Sequence, residues 1–219
     1  MNLKNVRFPH TLFITGIDTD AGKSYATGWL AAAMAAAGLS VITQKFVQTG
    51  CTDQSEDILI HRQLMGCGLL DVDIQKLTAP EIFTYPCSPD LAARLDGREF
   101  NPDHVAQATS LLASKYDHVL LEGAGGLMVP LKDDYLSFDY VRNHNLPVVL
   151  VTNGRLGSIN HTLLSLHALK TANIPLFAVI YNTHFDNDKT ISDDTRRYIQ
   201  NWLHEKFPET HYWEMPSLK

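Results

Sequence analysis

A glycine-rich segment near the start of the chain contains the residue types that bind nucleotide phosphates. The sequence GIDTDAGKS occupies residues 16–24, between an apolar run and a helical pattern. Free backbone N–H groups at a helix start carry the positive end of the helix dipole, so they attract phosphate oxygens. Lys23 adds a full charge, Ser24 offers a hydroxyl to Mg²⁺, and Gly22 leaves room for the ligand. The segment could be a surface turn, but its position between a strand and a helix favours nucleotide binding. One extra residue before Gly22 makes it a variant phosphate loop.

Two carboxylates are candidates for holding the Mg²⁺ that accompanies a nucleotide triphosphate. Magnesium takes oxygen ligands, usually from one or two carboxylates, a hydroxyl and the phosphates. Glu122 ends an otherwise apolar strand and precedes a glycine-rich turn, where an ionisable group is costly unless it has a partner. Asp57 lies at a predicted helix start. It could be an ordinary first-turn acid favoured by the helix dipole, and Glu56 is an adjacent rival that spacing does not exclude.

Lys45 and the segment that begins at Gly157 could bind further anionic groups. Lys45 ends a predicted strand, and a cation beside bound phosphate could stabilise charge that develops during transfer or hold an anionic acceptor. It could also be a solvated strand end. Gly157 opens a helix whose free N–H groups could bind a carboxylate, although Ser158 and Asn160 could equally be ordinary helix caps.

The elements that must position these residues alternate between strands and helices. Strands are predicted at residues 11–16, 39–45, 119–123, 147–153 and 176–182. Helices are predicted at residues 22–37, 55–65, 103–115, 135–143, 159–171 and 188–207. This β-α-β order, with strands that are apolar on both faces, predicts an α/β fold: one doubly wound, mostly parallel sheet with helices on both faces, in a single domain over residues 1–219.

Ligands bind such sheets outside the carboxyl ends of their strands. Polar and glycine-rich residues follow these ends at residues 16–24, 45–50, 122–126, 153–160 and 182. We therefore expect one ligand site at this edge of the sheet.

Composition narrows the choice of partners. The chain of 219 residues has 18 Lys and Arg against 24 Asp and Glu, and the net charge of −6 without a polybasic run disfavours nucleic acid. Its longest apolar stretch, residues 29–37, is far shorter than the roughly 20 residues of a membrane span. Three cysteines without a Cys-x-x-Cys pair, and a first segment unlike a signal peptide, predict a cytoplasmic protein that binds no membrane.

Four segments, in this order, together resemble the dethiobiotin synthetase family of P-loop NTPase-like proteins. They are GIDTDAGKS at residues 16–24, KFVQTG at 45–50, EGAGG at 122–126 and GSINH at 157–161. The resemblance implies a ligase of biotin biosynthesis that uses ATP as co-substrate and Mg²⁺ as cofactor. It implies that 7,8-diaminononanoate and CO₂ give dethiobiotin, ADP and phosphate through a carbamate and a carbamic-phosphoric anhydride.

The resemblance also implies residue roles. The implied catalytic residues are Lys45, Lys23 and Thr19. The implied nucleotide-binding residues are Asp20, Ala21, Gly22, Lys23, Ser24, Asp57, Glu122, Gly123, Ala124, Gly125, Asn182, Thr183 and Pro216. The implied metal ligands are Ser24, Asp57 and Glu122. The implied substrate-binding residues are Thr49, Gly157, Ser158, Ile159 and Asn160. In the family the last four come from the neighbouring subunit, so the resemblance implies a homodimer with its site at the interface.

Two other classes share a phosphate loop. A partition-type switch ATPase would have a lysine early in the loop, where this chain has Asp18, and would bind DNA or membrane through basic or amphipathic segments that are not evident here. A cobyrinate-type ligase would normally need a longer chain. A protein that binds nucleotide without turnover is hard to reconcile with Lys23, Lys45, Asp57 and Glu122 together.

Overall fold

The computed structural model describes residue 3 and residues 6–218, and ten strands and eight helices lie within them. The strands are β1 (Thr11–Gly16), β2 (Val41–Lys45), β3 (Gln48–Thr49), β4 (Ile82–Phe83), β5 (His118–Gly126), β6 (Pro130–Lys132), β7 (Tyr135–Leu136), β8 (Val148–Asn153), β9 (Leu176–Asn182) and β10 (His211–Met215). The helices are α1 (Lys23–Ala36), α2 (Glu56–Leu64), α3 (Asp71–Ile74), α4 (Pro89–Leu95), α5 (Pro102–Ala113), α6 (Ser137–Asn143), α7 (Ser158–Thr171) and α8 (Lys189–Lys206). The predicted domain also includes residues 1, 2, 4, 5 and 219, which lie outside the described residues.

Six strands form one parallel sheet in the order β10-β9-β8-β1-β5-β2. Successive side chains of β1 enter two different cores, because side chains alternate between the faces of a strand. Leu12 and Ile14 pack with Leu30 and Met34 of α1, whereas Phe13 packs on the opposite face. That second core also receives residues of α5, α6, α7 and α8. The predicted doubly wound α/β sheet with helices on both faces is confirmed.

The local signals explain where the site-bearing helices begin. The Ser55 hydroxyl accepts a hydrogen bond from the backbone N–H of Ile58 at 3.2 Å, which caps α2 at its predicted start. Glu56 and Asp57 then occupy the first turn, where the helix dipole favours carboxylates. Gly38, at φ 86°, follows the end of α1 as its position predicts.

Most predicted ends differ from the observed ones by one or two residues, and three differences have a clear structural reason. The helix predicted at residues 135–143 begins at Ser137, because Tyr135–Leu136 pairs with Pro130–Lys132 and the Asp139 carboxylate accepts from the Leu136 N–H at 3.0 Å. The strand predicted to end at Gly123 continues to Gly126 along β1. Strand β9 was predicted to be the last of the core, but β10 pairs beside it.

Most of the elements that the sequence did not predict are short. Helices α3 and α4 and the strand pairs β3–β4 and β6–β7 were not predicted, since each has too few residues to show a hydrophobic period. Among the helices of the described residues, every one is too short or too polar to cross a membrane.

Candidate active site

The phosphate loop is tied to the end of a neighbouring strand. Gly22 precedes α1 at φ 91°, in the left-handed region, and a Cβ there would lie 2.2 Å from Nδ2 of Asn182. The positive φ and the short distance to Asn182 both require glycine at this position. Asn182, at the end of β9, donates from Nδ2 to the carbonyl of Ala21 at 3.2 Å. The loop therefore has a fixed position relative to the sheet, and its shape is set by the glycine that the sequence predicts.

A cavity of about 480 Å³ lies over the carboxyl ends of the strands. The predicted site residues in its wall are Thr19, Asp20, Gly22, Lys23, Ser24, Lys45, Thr49, Asp57, Glu122, Ala124, Gly125 and Asn182. Val47 and Gln48 of the predicted segment 45–50 and Leu218 also lie in the wall. The wall residues outside the predicted strand-end segments and without a predicted role are Tyr25, Ile60, His184, Phe185 and Met215. Four of the five strand-end segments predicted to form one ligand site thus meet at one cavity.

The remaining predicted residues are outside this wall. Of the described residues, the wall does not include Ala21, Gly123, Thr183, Pro216, Gly157, Ser158, Ile159 or Asn160. The first four are chain neighbours of wall residues, and Gly123 accepts a hydrogen bond from Lys45 at 3.2 Å. The segment 157–160 is different, because it belongs to the strand-end loop after β8, which lines no part of the cavity.

Three oxygen-bearing side chains converge at the floor of the cavity. Ser24 Oγ lies 2.7 Å from Asp57 Oδ1 and 2.9 Å from Glu122 Oε1. A hydroxyl has one hydrogen, so it can donate to only one of these carboxylates at a time. The described residues contain no cluster of three or more His, Cys, Asp or Glu side chains suited to a metal. Two carboxylates and a hydroxyl at such distances do match the oxygen donors of a phosphate-bound Mg²⁺.

The rival carboxylate, Glu56, is placed differently from Asp57. Glu56 is exposed, whereas Asp57 is partly buried and contacts both Ser24 and Lys45. The two side chains are adjacent in α2, so a helix turns them in different directions. The geometry therefore favours Asp57 as the oxygen donor of this pair.

Lys45 is buried between the two carboxylates. Its Nζ lies 2.8 Å from Glu122 Oε1 and forms a second ion pair with Asp57. Burial lowers the pKa of Lys45, but the charges of Glu122 and Asp57 outweigh it and leave that pKa above its ordinary value. Burial likewise raises the pKa of Glu122, but Lys45 and His61 outweigh it and leave that pKa far below the ordinary value. Lys45 is therefore a permanent cation and Glu122 a permanent anion at neutral pH.

In Lys23 the effects that lower the pKa outweigh the nearby negative charges that raise it. Its Nζ donates to the carbonyl of Asp18 at 3.1 Å. Burial, and then the charge of Lys45, lower the pKa of Lys23 from 10.5 to about 8. A polyanion in the cavity would relieve both effects, because negative charge favours the protonated amine. The cavity therefore presents two ammonium groups to a ligand, one of them poorly compensated by the protein.

Asn182 and the short 3₁₀ turn Thr183–Phe185 form one side of the cavity. Asn182 Oδ1 accepts from the His184 N–H at 3.0 Å, while its Nδ2 contacts the phosphate loop. The Oδ1 atom can accept one more hydrogen bond, and Nδ2 can donate one more. Thr183 Oγ1 donates to the carbonyl of Met215 at 2.9 Å and so connects this turn to the end of β10.

No individual role was predicted for two polar residues near the floor. Gln48 accepts from Ser55 Oγ at 2.6 Å, which connects the segment after Lys45 to the start of α2. His61 contacts Glu122 at 2.7 Å. The only sequence signal for His61 is its place one helical turn after Asp57, and that spacing has meaning only once Asp57 faces the sheet.

The parallel sheet, the phosphate loop and the acidic pair define a P-loop nucleotide-binding protein of the α/β class. A solved structure agrees at the level of the fold: a ParA family ATPase from Chlorobium tepidum superposes with a TM-score of 0.54 at 17% identity, covering 96% of this chain and 86% of that chain.

Sequence comparison narrows the class to one family. Residues 10–206 match the family described as AAA domain. The chain is 50% identical over 198 residues to ATP-dependent dethiobiotin synthetase BioD 2 of Pasteurella multocida, covering 90% of this chain and 93% of that protein. It is 48% identical over 204 residues to the protein of the same name from Haemophilus ducreyi, covering 93% and 97%. The chain belongs to the ATP-dependent dethiobiotin synthetase family.

Proposed function

We propose that this chain converts 7,8-diaminononanoate, CO₂ and ATP into dethiobiotin, ADP and phosphate. Its family and its identity to named dethiobiotin synthetases over most of both chains support this reaction. The observation that carries the proposal is the buried ion-pair cluster of Lys45, Asp57 and Glu122 beside the phosphate loop. A lysine held at this point can contact both a transferring phosphoryl group and an anionic acceptor.

The reaction has three bond-forming steps. A substrate amine adds to CO₂ and loses a proton, which gives a carbamate. A carbamate oxygen attacks the γ-phosphorus of ATP, the bond to the bridging oxygen breaks, and ADP leaves. The second amine attacks the carbamoyl carbon and loses its proton, and phosphate leaves as the ureido ring closes. Negative charge collects on the transferring group, so the protein contributes mainly positioning and charge neutralisation.

The side chains of the cavity suit these steps. Lys23 and Lys45 would neutralise the phosphates and the carbamate, with Thr19 beside them in the wall. Thr49 would contact the substrate. Asp20, Ala21, Gly22 and the segment 123–125 would surround the nucleotide.

Magnesium fits the same cluster. Ser24, Asp57 and Glu122 would hold the ion together with phosphate oxygens. When bound, Mg²⁺ supplies neutralisation of the charge that develops on the γ-phosphoryl group. Lys45 already pairs with both carboxylates, so the protein keeps their oxygens in place before a cation arrives.

The base of ATP would lie against the turn that follows β9. Asn182 has free hydrogen-bonding capacity there. Thr183 follows Asn182 in the chain, and Pro216 follows Met215, whose carbonyl accepts the hydrogen bond from Thr183. His184 and Phe185 add two rings to this wall. These groups support binding of a planar base next to the phosphate loop.

We also propose that two copies of the chain form a homodimer. The segment 157–160 would bind the far carboxylate of the substrate from the neighbouring copy, and its position outside this chain's own cavity wall is consistent with that. Leu156 beside it is 90% exposed and Leu164 in α7 is 61% exposed, so covering them would bury apolar surface. We assign the activity to a single cytoplasmic domain over residues 1–219.

The test is phosphate release by the purified protein with Mg-ATP and bicarbonate, with and without 7,8-diaminononanoate, followed by mass detection of dethiobiotin. Diamine-dependent release with the ring-closed product is expected. Release that does not depend on the diamine would overturn the proposal and favour a switch ATPase. Lys45→Ala is the negative control, because it removes the cation and leaves the residues of the phosphate loop unchanged, and its thermal unfolding is measured to confirm that it is folded.

A further inference from the structure

A buried histidine outside the cavity wall contacts the acidic cluster. His61 lies in α2, its side chain has no solvent exposure, and its Nε2 is 2.7 Å from Glu122 Oε2. Its Nδ1 is buried and lacks a protein partner among the described residues. An unpartnered polar atom inside a protein is costly, so the residue at this position calls for an explanation other than stability.

The two oxygens of Glu122 have different partners. Oε1 faces Ser24 Oγ at 2.9 Å and Lys45 Nζ at 2.8 Å, whereas Oε2 faces His61. A carboxylate oxygen accepts, so Nε2 of His61 carries the hydrogen of this contact. The imidazole therefore holds one oxygen of the carboxylate and restricts the orientation of the carboxylate plane.

Close packing of two helices determines the position of His61. A Cβ on Gly28 of α1 would lie 2.8 Å from a methyl group of Leu64 and 3.1 Å from Cα of His61, so α2 approaches α1 at a distance that a larger residue would not allow. The next residue, Arg62, is buried and binds both oxygens of Asp73 at 2.8 Å. The imidazole thus reaches Glu122 from a helix that cannot shift easily.

We propose that His61 is a positioning residue that restricts Glu122 to presenting a single oxygen, Oε1, to the cation bound with the nucleotide, and thereby favours Mg²⁺ over Ca²⁺. This inference rests on the metal and nucleotide site proposed above. Magnesium requires near-octahedral coordination at short distances, whereas the larger Ca²⁺ accepts both oxygens of one carboxylate in a flexible shell. Partners that orient a metal-binding group typically change metal affinity by about 10–100-fold when removed.

The test compares three variants with the unaltered protein. His61→Leu removes the hydrogen bond and keeps a good helix former. His61→Gln keeps an amide donor close to the position of Nε2. Leu64→Ala disturbs the same helix contact with Gly28 but does not touch Glu122. For each protein, binding of a fluorescent non-hydrolysable ATP analogue is titrated with MgCl₂ and, separately, with CaCl₂, and thermal unfolding is measured without metal.

We expect His61→Leu to raise the Mg²⁺ concentration at half-maximal binding about 10–100-fold. The Ca²⁺ midpoint should change less, so that the ratio between the two ions falls. His61→Gln should recover most of the Mg²⁺ affinity, and Leu64→Ala should unfold at a lower temperature with both midpoints unchanged. In turnover assays, His61→Leu should raise the Mg²⁺ requirement more than it lowers kcat at saturating Mg²⁺.

Equal shifts of the two metal midpoints in His61→Leu and Leu64→Ala would overturn the assignment, since they would reflect helix packing alone. An unchanged ratio of Mg²⁺ to Ca²⁺ midpoints in His61→Leu would also overturn it. If His61→Leu does not fold, His61→Asn replaces it, because its amide is one methylene shorter than that of His61→Gln and falls short of Glu122. Nucleotide binding by the unaltered protein that ignores Mg²⁺ would instead refute the proposed metal site, and the role of His61 with it.

Discussion

Two helices of this protein begin in nearly the same way, and one of them lines the cavity. Helices α1 and α7 each have 14 residues, and each follows a strand of the main sheet. Each begins after a glycine in the left-handed region, Gly22 at φ 91° and Gly157 at φ 93°. Both therefore present free N–H groups at the same edge of the sheet. By local criteria, both are anion sites.

Their surroundings differ. A Cβ on Gly22 would collide with Asn182, whereas a Cβ on Gly157 would meet nothing within 4 Å. The α1 start faces Lys45 and two carboxylates across the cavity, and Gly157 is exposed. The comparison shows that a helix start becomes a complete site through side chains brought from other strands and from a second helix. The α7 start has to receive such partners from a second copy of the chain under the proposed function.

The largest expected effect comes from Lys45, which the α1 site has and the α7 start lacks. Lys45→Ala should lower turnover by about 10²–10³-fold or more, because it removes the cation beside the transferring group. It also leaves Glu122 and Asp57 without their cation, and we expect a loss of about 3–5 kcal/mol in the free energy of unfolding. Phosphate release and urea unfolding measure the two effects. Near-normal product formation would refute the assigned role.

The two glycines offer a matched pair. Gly22→Ala should reduce affinity for an ATP analogue about 100-fold or abolish it, since the new methyl group meets Asn182 at a backbone angle that alanine avoids. Gly157→Ala has the same backbone penalty of about 1 kcal/mol without the collision. It should leave nucleotide affinity unchanged and raise the KM for the diamine. Fluorescence titration and steady-state kinetics separate the two, and equal losses of nucleotide affinity would remove the contrast between the helix starts.

The proposed metal ligand Glu122 can be compared with Glu56, an exposed carboxylate near the same site. Glu122→Gln should raise the Mg²⁺ requirement about 10-fold or more, because the charge on a proposed ligand is lost. Glu56→Gln is the control, since Glu56 is exposed beside Asp57 and should leave the Mg²⁺ titration unchanged. Turnover is measured against MgCl₂ at fixed ATP. A shift in the control and none in Glu122→Gln would refute the assignment of Glu122 as a metal ligand.

The smallest effect concerns Lys23. Its pKa of about 8 lies below the ordinary 10.5 because of burial and then the charge of Lys45. The folded protein therefore loses this proton as the pH rises through about 8, and affinity for an ATP analogue should fall about tenfold by pH 9. The unfolded chain binds more protons between pH 8 and 10.5, so this group makes stability rise with pH there.

The control for this effect is Lys23→Arg, whose guanidinium stays charged. Fluorescence titrations between pH 7 and 9.5 should show the fall in the unaltered protein and a flatter profile in the variant. Parallel profiles would assign the pH dependence to another group.

The sequence predicted the parts of the fold and site that are specified locally. Strand β1, the phosphate loop and α1 are continuous in the chain, so the spacing of glycine, lysine and serine was sufficient to predict the nucleotide site. Glu122 was a candidate because a charge at the end of an apolar strand is unusual. His61 was not, because its role depends on Glu122, which is distant in sequence and is brought close only by the pairing of β2 with β5. Strand β10 depends in the same way on the edge that β9 offers.

The fate of labelled bicarbonate shows directly whether this chain closes a ureido ring. The purified protein is incubated with Mg-ATP, 7,8-diaminononanoate and either ¹³C-labelled or ordinary bicarbonate, and the mass of the product is determined alongside released phosphate. The proposed reaction gives dethiobiotin heavier by one mass unit with the label, together with one phosphate per ring. Phosphate released without labelled product, or equally fast without the diamine, would contradict it.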